Sequence, residues 1–379
     1  MTHTFSFPTT IHFGPGARKL VARHLKAAGV SRPLIVTDRG VAALPMHGEL
    51  KQTLEAEGLA VGSFSGVVGN PLKSQVDEGV RAYKGHDADS IVGLGGGAAI
   101  DVAKAIALLA THPGDLFDYE DEKPGARPID GPIPYWVALP TTAGTGSEVG
   151  RSSVVSDDAT HVKKIIFSPK LLARAVFADP ELTVGLPPAV TAATGMDALT
   201  HCVEAFLAKN YHPICDGIAL EGLRLVAENL VRAYESPRDV EARGAMLMAS
   251  MMGAIAFQKG LGLTHSCAHA LGTVADMHHG LANGVMIDHA LAFNAEVSAQ
   301  RFARMAQAAG LKDASAKGFL AWLAELKAAV KVPARLRDAG VTREQLPKLV
   351  EIATADACHP NNPREVARAD FERIFDGAY

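Results

Sequence analysis

The stretch Ser90-Ile-Val-Gly-Leu-Gly-Gly-Gly-Ala-Ala-Ile-Asp-Val-Ala-Lys104 decides the fold of the first half of the chain. An apolar run typical of a buried strand passes through three consecutive glycines into a run typical of a helix. Glycines allow a sharp turn and a close approach of the backbone to a phosphate, and the start of a helix offers unpaired N–H groups. The segment therefore predicts a strand, an anion-binding loop and a helix; a tight turn without a ligand is the alternative interpretation.

Strand-like and helix-like segments alternate on both sides of this unit. We predict strands over residues 34–37, 90–94, 135–139 and 174–178, helices over 72–83 and 98–110, and a hairpin of 152–155 with 164–167. Alternation of this kind is typical of a parallel sheet covered by helices.

The texture of the sequence changes near residue 180. Beyond it the chain is rich in Ala, Leu, Met and Glu, its apolar residues recur with a period of about 3.6 residues, and strand signals are scarce. A chain of 379 residues also exceeds the size at which one core keeps growing. We expect an α/β domain with a Rossmann-like parallel sheet over residues 1–180 and an all-helical domain over 181–379.

Composition and charge exclude several classes of protein. The chain is 48% hydrophobic and 21% charged, and its net charge is only -4 without a basic block, which argues against nucleic acid as a partner. The longest uncharged apolar run, residues 245–257, is shorter than the roughly 20 residues that span a bilayer, so we interpret it as a buried helix and expect no membrane partner. The first residues lack an export signal, and the four cysteines lack a disulfide framework. We therefore expect a cytoplasmic protein.

Two further segments are candidates to line the nucleotide site. Asp38 follows the first predicted strand, where a carboxylate can accept the hydroxyls of an adenosine ribose and so favours NAD over NADP; the adjacent Arg39 weakens that inference, and a plain turn residue is the alternative. The loop Pro140-Thr-Thr-Ala-Gly-Thr-Gly-Ser-Glu148 also follows a strand. Ligands of open α/β sheets lie at the carboxyl ends of strands, so this loop could flank the same cofactor, or it could be a helix cap.

A metal site is indicated by three segments of the second half. They are Asp197-Ala-Leu-Thr-His201, Thr264-His265-Ser-Cys-Ala-His269 and Met277-His278-His279-Gly280. Residues four apart share a helix face, and a carboxylate with several imidazoles is typical of a divalent metal site. Spacing alone leaves the ligands open among Asp197, His201, His265, His269, His278 and His279.

With these motifs the chain resembles the iron-containing (group III) alcohol dehydrogenases from Phe13 to Arg364. The motifs that carry the resemblance are Gly95-Gly-Gly-Ala-Ala-Ile-Asp101, Pro140-Thr-Thr-Ala-Gly-Thr-Gly-Ser-Glu148, Asp179-Pro-Glu-Leu-Thr183, Ala193-Thr-Gly-Met-Asp-Ala-Leu-Thr-His201, Gly262-Leu-Thr-His-Ser-Cys-Ala-His-Ala-Leu-Gly272 and His279-Gly280. The resemblance implies a dehydroquinate synthase-like α/β domain followed by an all-α domain.

The resemblance also assigns site residues. It implies that the metal ligands are Asp197, His201, His265 and His279, and that His269 stays off the metal, near the nicotinamide and substrate, where we expect it to relay a proton. For the cofactor it implicates Asp38, Asn70, Gly96, Gly97, Ala98, Asp101, Thr141, Thr142, Thr145, Ser152 and Lys163. Two positions depart from the family pattern: Ala98 stands where a serine is common, and Ser152 where an asparagine is common.

We therefore expect reversible hydride transfer between a small alcohol and NAD, with a metal polarising the alcohol oxygen. Coordination chemistry allows Fe²⁺ or Zn²⁺, and the resemblance favours iron. It also implies a homodimer or larger homo-oligomer. The alternatives are a metal-independent reductase like maleylacetate reductase, a lyase of the dehydroquinate synthase type, and a metal-binding or nucleotide-sensing module without catalysis.

Overall fold

The chain forms two units, each with its own core. The structure is a computed structural model that describes residues 5–7, 9–121 and 123–379. The first unit, here called the sheet unit, comprises Ser6–Thr142 and Ser147–Thr183. The second, here called the helical unit, comprises Val184–Tyr379 together with Ala143–Gly146 and Phe5. The loop between residues 140 and 148 thus contributes residues to both units.

The sheet unit holds every strand of the described residues. The strands are β1 (Thr10–Phe13), β2 (Pro33–Asp38), β3 (Gly62–Val67), β4 (Ser90–Gly95), β5 (Tyr135–Pro140), β6 (Ser152–Ser156), β7 (Lys163–Phe167) and β8 (Ala175–Ala178). Its α-helices are α1 (Val21–Ala27), α2 (Arg39–Ala42), α3 (Pro45–Ala56), α4 (Lys73–Gly85) and α5 (Gly97–Thr111).

Six of these strands form one parallel sheet. Their order across the sheet is β1-β8-β5-β4-β2-β3, and every pairing in it is parallel. The register of β4 on β5 runs from the Ser90–Tyr135 pair to the Gly95–Pro140 pair, so both strands end at the same edge. The remaining strands, β6 and β7, form the antiparallel hairpin that the sequence predicts. The predicted α/β class is confirmed.

The two faces of β4 explain why the strand is buried throughout. Side chains alternate across a sheet, and all six residues of β4 are buried. On one face Val92 and Leu94 belong to a core that includes Leu25 of α1. On the other, Gly93 lets α5 come close, since a Cβ added there would lie 3.3 Å from the Cβ of Ala103. Helix α5 follows β4 directly and packs back onto the sheet.

The helical unit is built from nine α-helices in its described residues. They are α6 (Pro188–Leu207), α7 (Pro213–Glu235), α8 (Val240–Ala256), α9 (Leu263–Ala275), α10 (His279–Ala295), α11 (Ala299–Ala308), α12 (Ala316–Ala329), α13 (Leu346–Thr354) and α14 (Arg368–Ala378). Helix α6 is buried from Thr191 to Leu207 and packs against α7, α8 and α10, which makes it the centre of the unit. The predicted all-helical class of this region is confirmed.

In the part of the chain that the structure describes, one helical stretch is long and apolar enough to cross a membrane by length and composition alone. It is Val240–Lys259, with a mean hydropathy of 1.2 over its most apolar window, of which 61% is buried inside the protein. The stretch contains the apolar run at 245–257 that the sequence predicts to be a buried helix. A helix in a protein core passes the same test, so the stretch is weak evidence for a membrane span.

Candidate metal centre and nucleotide site

Helix α6 contributes the first two candidate metal ligands. Asp197 and His201 are one turn apart, and both are buried. The Nε2 atom of His201 lies 3.8 Å from Oδ1 of Asp197, so the two side chains converge. Burial lowers the pKa of His201 to about 4, although Asp197 acts in the opposite direction. The imidazole is therefore neutral near pH 7, which is the form that binds a metal.

Helices α9 and α10 bring two more histidines to the same point. His265 lies in the first turn of α9, and His279 is the first residue of α10. One ligand atom from each of Asp197, His201, His265 and His279 lies within 4.8 Å of the other three. Three imidazoles and one carboxylate, grouped this closely and mostly buried, fit Fe²⁺ or Zn²⁺. The structure thus brings together all four residues that the resemblance implies as ligands.

Close packing of α10 on α6 depends on the residue after His279. A Cβ added at Gly280 would lie 2.3 Å from the carbonyl oxygen of Ala193 and 3.2 Å from the Cβ of Asp197. Only glycine allows this approach, which explains the His279-Gly280 motif physically.

Hydrogen bonds orient the imidazoles of His265 and His201. His265 donates from Nδ1 to Oε2 of Glu204 at 2.7 Å, and His201 donates from Nδ1 to the carbonyl of Gly144 at 3.2 Å. In both rings the Nε2 atom is then left for a cation. Glu204 also accepts the backbone N–H groups of Gly262 and Thr264, so it caps the start of α9. Burial would raise the pKa of Glu204, but His265 and these N–H groups hold it below its usual value.

Asn283 reaches into the ligand group from the second turn of α10. Its Nδ2 atom donates to Oδ1 of Asp197 at 2.7 Å and lies 3.3 Å from Nε2 of both His265 and His279. The Asn283 side chain is fully buried, and its Oδ1 has no hydrogen-bond partner among the described residues. Neither Asn283 nor Glu204 is predicted from the sequence, because a lone amide or acid on a helix carries no motif.

His269 lies beside this group but outside it. Its ring stacks on that of His279 with centroids 5.5 Å apart, and its Nδ1 atom lies 2.7 Å from Oδ2 of Asp356. The expectation that His269 stays off the metal and relays a proton stays a prediction. His278, the remaining sequence candidate, is exposed.

In the sheet unit, the predicted ribose residue and the glycine loop line one cavity. Its walls come from the ends of three neighbouring strands and the start of α5, and they include Asp38, Arg39, Val68, Gly69, Gly96 and Ala98. Asp38 also caps α2 by accepting the N–H of Val41 at 2.9 Å. Asn70 directly follows Gly69 in the chain. The cavity lies at the carboxyl ends of parallel strands, where this class of sheet binds nucleotides.

The turn from β4 into α5 requires glycine. Gly95 has a φ of 154°, and a Cβ added there would lie 2.6 Å from the Cβ of Ala99. Gly96 then precedes the first helical residue, Gly97, so unpaired N–H groups of the first turn are exposed to a ligand. These N–H groups belong to the backbone, so an alanine at position 98 does not remove them.

The second predicted loop packs against the first. The N–H of Thr141 donates to the carbonyl of Gly95 at 2.9 Å, and a Cβ at Gly96 would lie 3.1 Å from Cγ2 of Thr142. Thr145 belongs to the helical unit, whereas Ser152 and Lys163 begin the two strands of the hairpin. The cofactor roles of these three residues stay predictions.

Asp101 has protein partners instead of facing the cavity. Its carboxylate accepts from the hydroxyl of Ser147 and from the N–H of Val154, and it lies 3.5 Å from Nζ of Lys104. Lys104 is fully buried and donates to the carbonyl of Ser152 at 2.6 Å. These contacts tie α5 to the segment that enters the hairpin. The cofactor role of Asp101 stays a prediction, and its contacts indicate that it holds the loop in place.

Glu148 lies beside this buried pair. Burial raises its pKa to about 7, although the nearby Lys104 opposes the shift. Its Oε1 atom has no hydrogen-bond partner among the described residues. Lys104 and Glu148 are not predicted as a pair, because they lie 44 positions apart in the sequence.

Comparison with known proteins decides the family. Residues 8–180 match the model of the iron-containing alcohol dehydrogenases, and residues 191–379 match the model of the C-terminal region of the Fe-containing alcohol dehydrogenase family. The chain belongs to the iron-containing alcohol dehydrogenase family. The resemblance stated from the sequence and the predicted enzyme class, alcohol dehydrogenase, are confirmed.

Similar proteins of this family span nearly the whole chain. The chain is 40% identical over 380 residues to 4-hydroxybutyrate dehydrogenase of Cupriavidus necator, covering 97% of each protein. It is 36% identical to NAD-dependent methanol dehydrogenase of Bacillus methanolicus, covering 100% of each. A crystal structure of 1,3-propanediol oxidoreductase is similar with a TM-score of 0.94, 36% identity and full coverage of both chains. The fold of the iron-containing alcohol dehydrogenases is therefore the fold of this chain.

Proposed function

We propose that the protein is an NAD-dependent dehydrogenase that interconverts small primary alcohols and aldehydes. The observation that carries this proposal is the buried group of Asp197, His201, His265 and His279, whose ligand atoms lie within 4.8 Å of one another. Membership of the iron-containing alcohol dehydrogenases supports it, as does the cavity at the glycine loop.

The four side chains would hold a divalent cation, with iron favoured by the family. What the cation supplies when bound is Lewis acidity, which polarises the oxygen of the alcohol or the carbonyl. The protein keeps the imidazole of His201 neutral by burial, and it fixes the rings of His265 and His201 through Glu204 and the carbonyl of Gly144. Low exposure of the group also excludes water, which strengthens electrostatic interactions with the reacting oxygen.

Residues of the sheet unit would bind the dinucleotide. The N–H groups at the start of α5 would hold the pyrophosphate, and Asp38 would accept the hydroxyls of the adenosine ribose. A carboxylate in this place repels a 2′-phosphate, which favours NAD over NADP.

His269 would relay the proton of the reaction. Oxidation of an alcohol sends a hydride from carbon to the nicotinamide and releases the hydroxyl proton. The His269 side chain is 25% exposed and stacks on His279, so it connects the candidate ligand group with solvent.

The substrate class follows from the relatives that resemble the chain over its full length. A panel containing 4-hydroxybutyrate, 1,3-propanediol, methanol and longer primary alcohols should therefore include a substrate. The assay loads the protein anaerobically with Fe²⁺ or Zn²⁺ and measures NADH formation. Failure of both loaded forms to reduce NAD⁺ with any member of the panel, or to oxidise NADH with the aldehydes, would contradict the proposed function.

We also propose that the protein works in the cytoplasm as a homo-oligomer. All four cysteines are free, as expected in a reducing compartment. Strand β1 is an edge of the six-stranded sheet, and Phe13 in it is 45% exposed, which leaves an edge suited to pairing with a second copy. Light scattering after size-exclusion chromatography measures the oligomeric state.

A further inference from the structure

A hydrogen-bond network centred on Asp356 lies next to the candidate metal ligands. Asp356 follows α13 and accepts through both carboxylate oxygens. Its Oδ2 accepts from Nδ1 of His269 at 2.7 Å, and its Oδ1 accepts from the hydroxyl of Ser266 at 2.7 Å and from the N–H of Cys358 at 2.8 Å. The hydroxyl of Ser266 in turn accepts the N–H of His359 at 3.0 Å. Hydrogen bonds to both oxygens therefore fix the orientation of the carboxylate.

This network determines which nitrogen of His269 carries the proton. Burial alone would raise the pKa of Asp356, but the hydrogen bonds from His269, Cys358 and Ser266 outweigh it and hold the pKa well below its usual range. An ionised carboxylate only accepts hydrogen bonds, so Nδ1 of His269 must donate. The Nε2 atom of the neutral ring then has a lone pair.

A second metal site is the competing interpretation of the same residues. One ligand atom from each of His269, Asp356 and Cys358 lies within 4.8 Å of the other two. The 2.7 Å separation of Nδ1 and Oδ2 is that of a hydrogen bond, which leaves no room for a cation between them. Burial, with Asp356 adding to it, raises the pKa of the Cys358 thiol well above its usual range, and a protonated thiol is a poor ligand.

We propose that Asp356 is a positioning residue that holds His269 in its Nδ1-protonated form. A hydrogen bond from the hydroxyl of Ser266 fixes the orientation of the Asp356 carboxylate. The inference rests on the proposed function for its consequence in catalysis. In alcohol oxidation the O–H bond breaks and an Nε2–H bond forms on His269, the O–H electron pair becomes the second C–O bond, and the hydride leaves carbon for NAD⁺. His269 then passes its proton to solvent.

The decisive variant is Asp356→Asn. An asparagine keeps the size of the side chain, but its amide group can donate to Nδ1 of His269 and so stabilise the form protonated at Nε2. We expect kcat to fall by about 100-fold or more, the scale of general acid–base catalysis, with KM little changed and the same metal content. Ser266→Ala, which removes one bond to Asp356, should lower kcat by a smaller factor.

A matched control is Asp239→Asn. Asp239 likewise accepts a backbone N–H, that of Ala242 at 3.0 Å, but its side-chain partner is Arg232 and it contacts no histidine of the site. The kcat of Asp239→Asn should equal that of the wild type. A loss of kcat in Asp356→Asn that only follows a loss of bound metal would overturn the inference, and so would a second equivalent of bound metal that disappears in this variant.

A spectroscopic measurement tests the inference separately from turnover. In Zn²⁺-loaded protein labelled with ¹⁵N-histidine, the signal absent from His269→Gln should have the shifts of an Nδ1-protonated ring, and in Asp356→Asn those of an Nε2-protonated ring. Absence of NADH formation by the wild type would contradict the proposed function and leave this result standing. An unchanged tautomer in Asp356→Asn would overturn the inference even if the wild type is active. If Asp356→Asn does not fold, Ser266→Ala decides, and wild-type kcat in that variant would overturn the inference.

Discussion

At the scale of single residues, Glu204 connects the metal centre to the start of a helix. It accepts Nδ1–H of His265 and three backbone N–H groups at the beginning of α9, and it is 2% exposed. A carboxylate that accepts a hydrogen bond from the second nitrogen of a ligand imidazole makes the ring a better metal ligand. The same side chain therefore orients the ligand and the helix that presents it.

Glu204→Gln should weaken metal binding. The amide can replace only part of these hydrogen bonds and lacks the charge, so we expect the Kd for Zn²⁺ or Co²⁺ to rise by about 10–100-fold. Competition titration with a chelating dye measures it. The control is Glu228→Gln, an exposed acid on α7 whose partner is Arg224. Wild-type metal affinity in Glu204→Gln would show that the carboxylate does not act on the metal site.

Glu148 gives a prediction on pH. Its pKa is raised by burial to about 7 in the folded protein, above the ordinary value of 4.5. The folded state therefore binds this proton more tightly than the unfolded state, so the contribution to stability is complete below pH 4.5 and is lost as pH rises through about 7. Glu148→Gln should remove a pH-dependent contribution of up to about 3 kcal/mol to the free energy of unfolding.

Urea unfolding of the wild type and Glu148→Gln at pH 5 and pH 8 measures this contribution to the free energy of unfolding. The difference between the two proteins isolates the effect of Glu148 from that of groups whose pKa is lowered, such as Glu204, because their contribution to stability changes with pH in the opposite direction. We expect the variant to gain stability relative to the wild type at pH 8. An equal difference at both pH values would mean that Glu148 is ionised throughout.

Single-residue chemistry was predictable from the sequence only where it forms a motif. Asp197 and His201 lie four residues apart, as do His265 and His269, and the resemblance selects the four ligands from the six candidates. Asp356 lies 87 positions from the histidine that it contacts, and Glu204 lies 61 positions from His265. Such pairings depend on how helices pack, so the spacing of residues along the sequence does not predict them.

At the scale of elements, the turn between β4 and α5 has the strictest backbone requirement of the nucleotide site. Gly95 has a φ of 154°, which side chains rarely adopt, and an added Cβ would meet Ala99 at 2.6 Å. Gly95→Ala should therefore shift the turn, raise KM for NAD⁺ and destabilise the fold by about 1–3 kcal/mol.

Gly217→Ala is the control for this element. Gly217 lies within α7, and an added Cβ would meet nothing within 4 Å. Replacing glycine by alanine inside a helix should stabilise the protein by about 0.5–1 kcal/mol. Steady-state kinetics and urea unfolding of both variants test the pair. Unchanged KM for NAD⁺ in Gly95→Ala would mean that the turn does not shape the cofactor site.

Elements buried on both sides were the predictable ones. Strands β2, β4 and β5 are apolar runs, and the structure extends each prediction by one or two residues. The edge strands β1 and β3 were missed. Their sequences, Thr-Ile-His-Phe and Gly-Ser-Phe-Ser-Gly-Val, are short or rich in small polar residues, because an edge strand needs less burial.

At the scale of the whole molecule, the residues predicted to bind the nucleotide and those predicted to bind the metal belong to different units. Residues of the nucleotide cavity belong to the sheet unit, whereas all four candidate metal ligands belong to the helical unit. The helical unit begins at Val184 and also takes in Ala143–Gly146, a short segment that the sequence assigns to the α/β domain. Gly146 explains why, since a Cβ added there would lie 2.3 Å from the Cβ of Ala254 in α8.

This division predicts that metal removal loosens one unit and leaves the other unchanged. The ligands come from α6, α9 and α10, so a bound cation adds a link between three helices that packing and the hydrogen bonds of Glu204 and Asn283 already join. A ligand that binds only the folded state stabilises it by about 2.7 kcal/mol at 100 times its Kd. Dialysis against a chelator should therefore speed amide hydrogen exchange at the starts of α9 and α10, while β4 and β5 keep their protection.

Restoring Fe²⁺ or Zn²⁺ should reverse the change in the wild type but not in His265→Ala, whose metal-free exchange should resemble that of the chelated wild type. NAD⁺ should do the converse and protect the start of α5, because its predicted contacts lie in the sheet unit. Loss of protection in β4 and β5 on chelation would show that the cation also stabilises the sheet unit. No change at α9 or α10 would mean that these helices do not hold it.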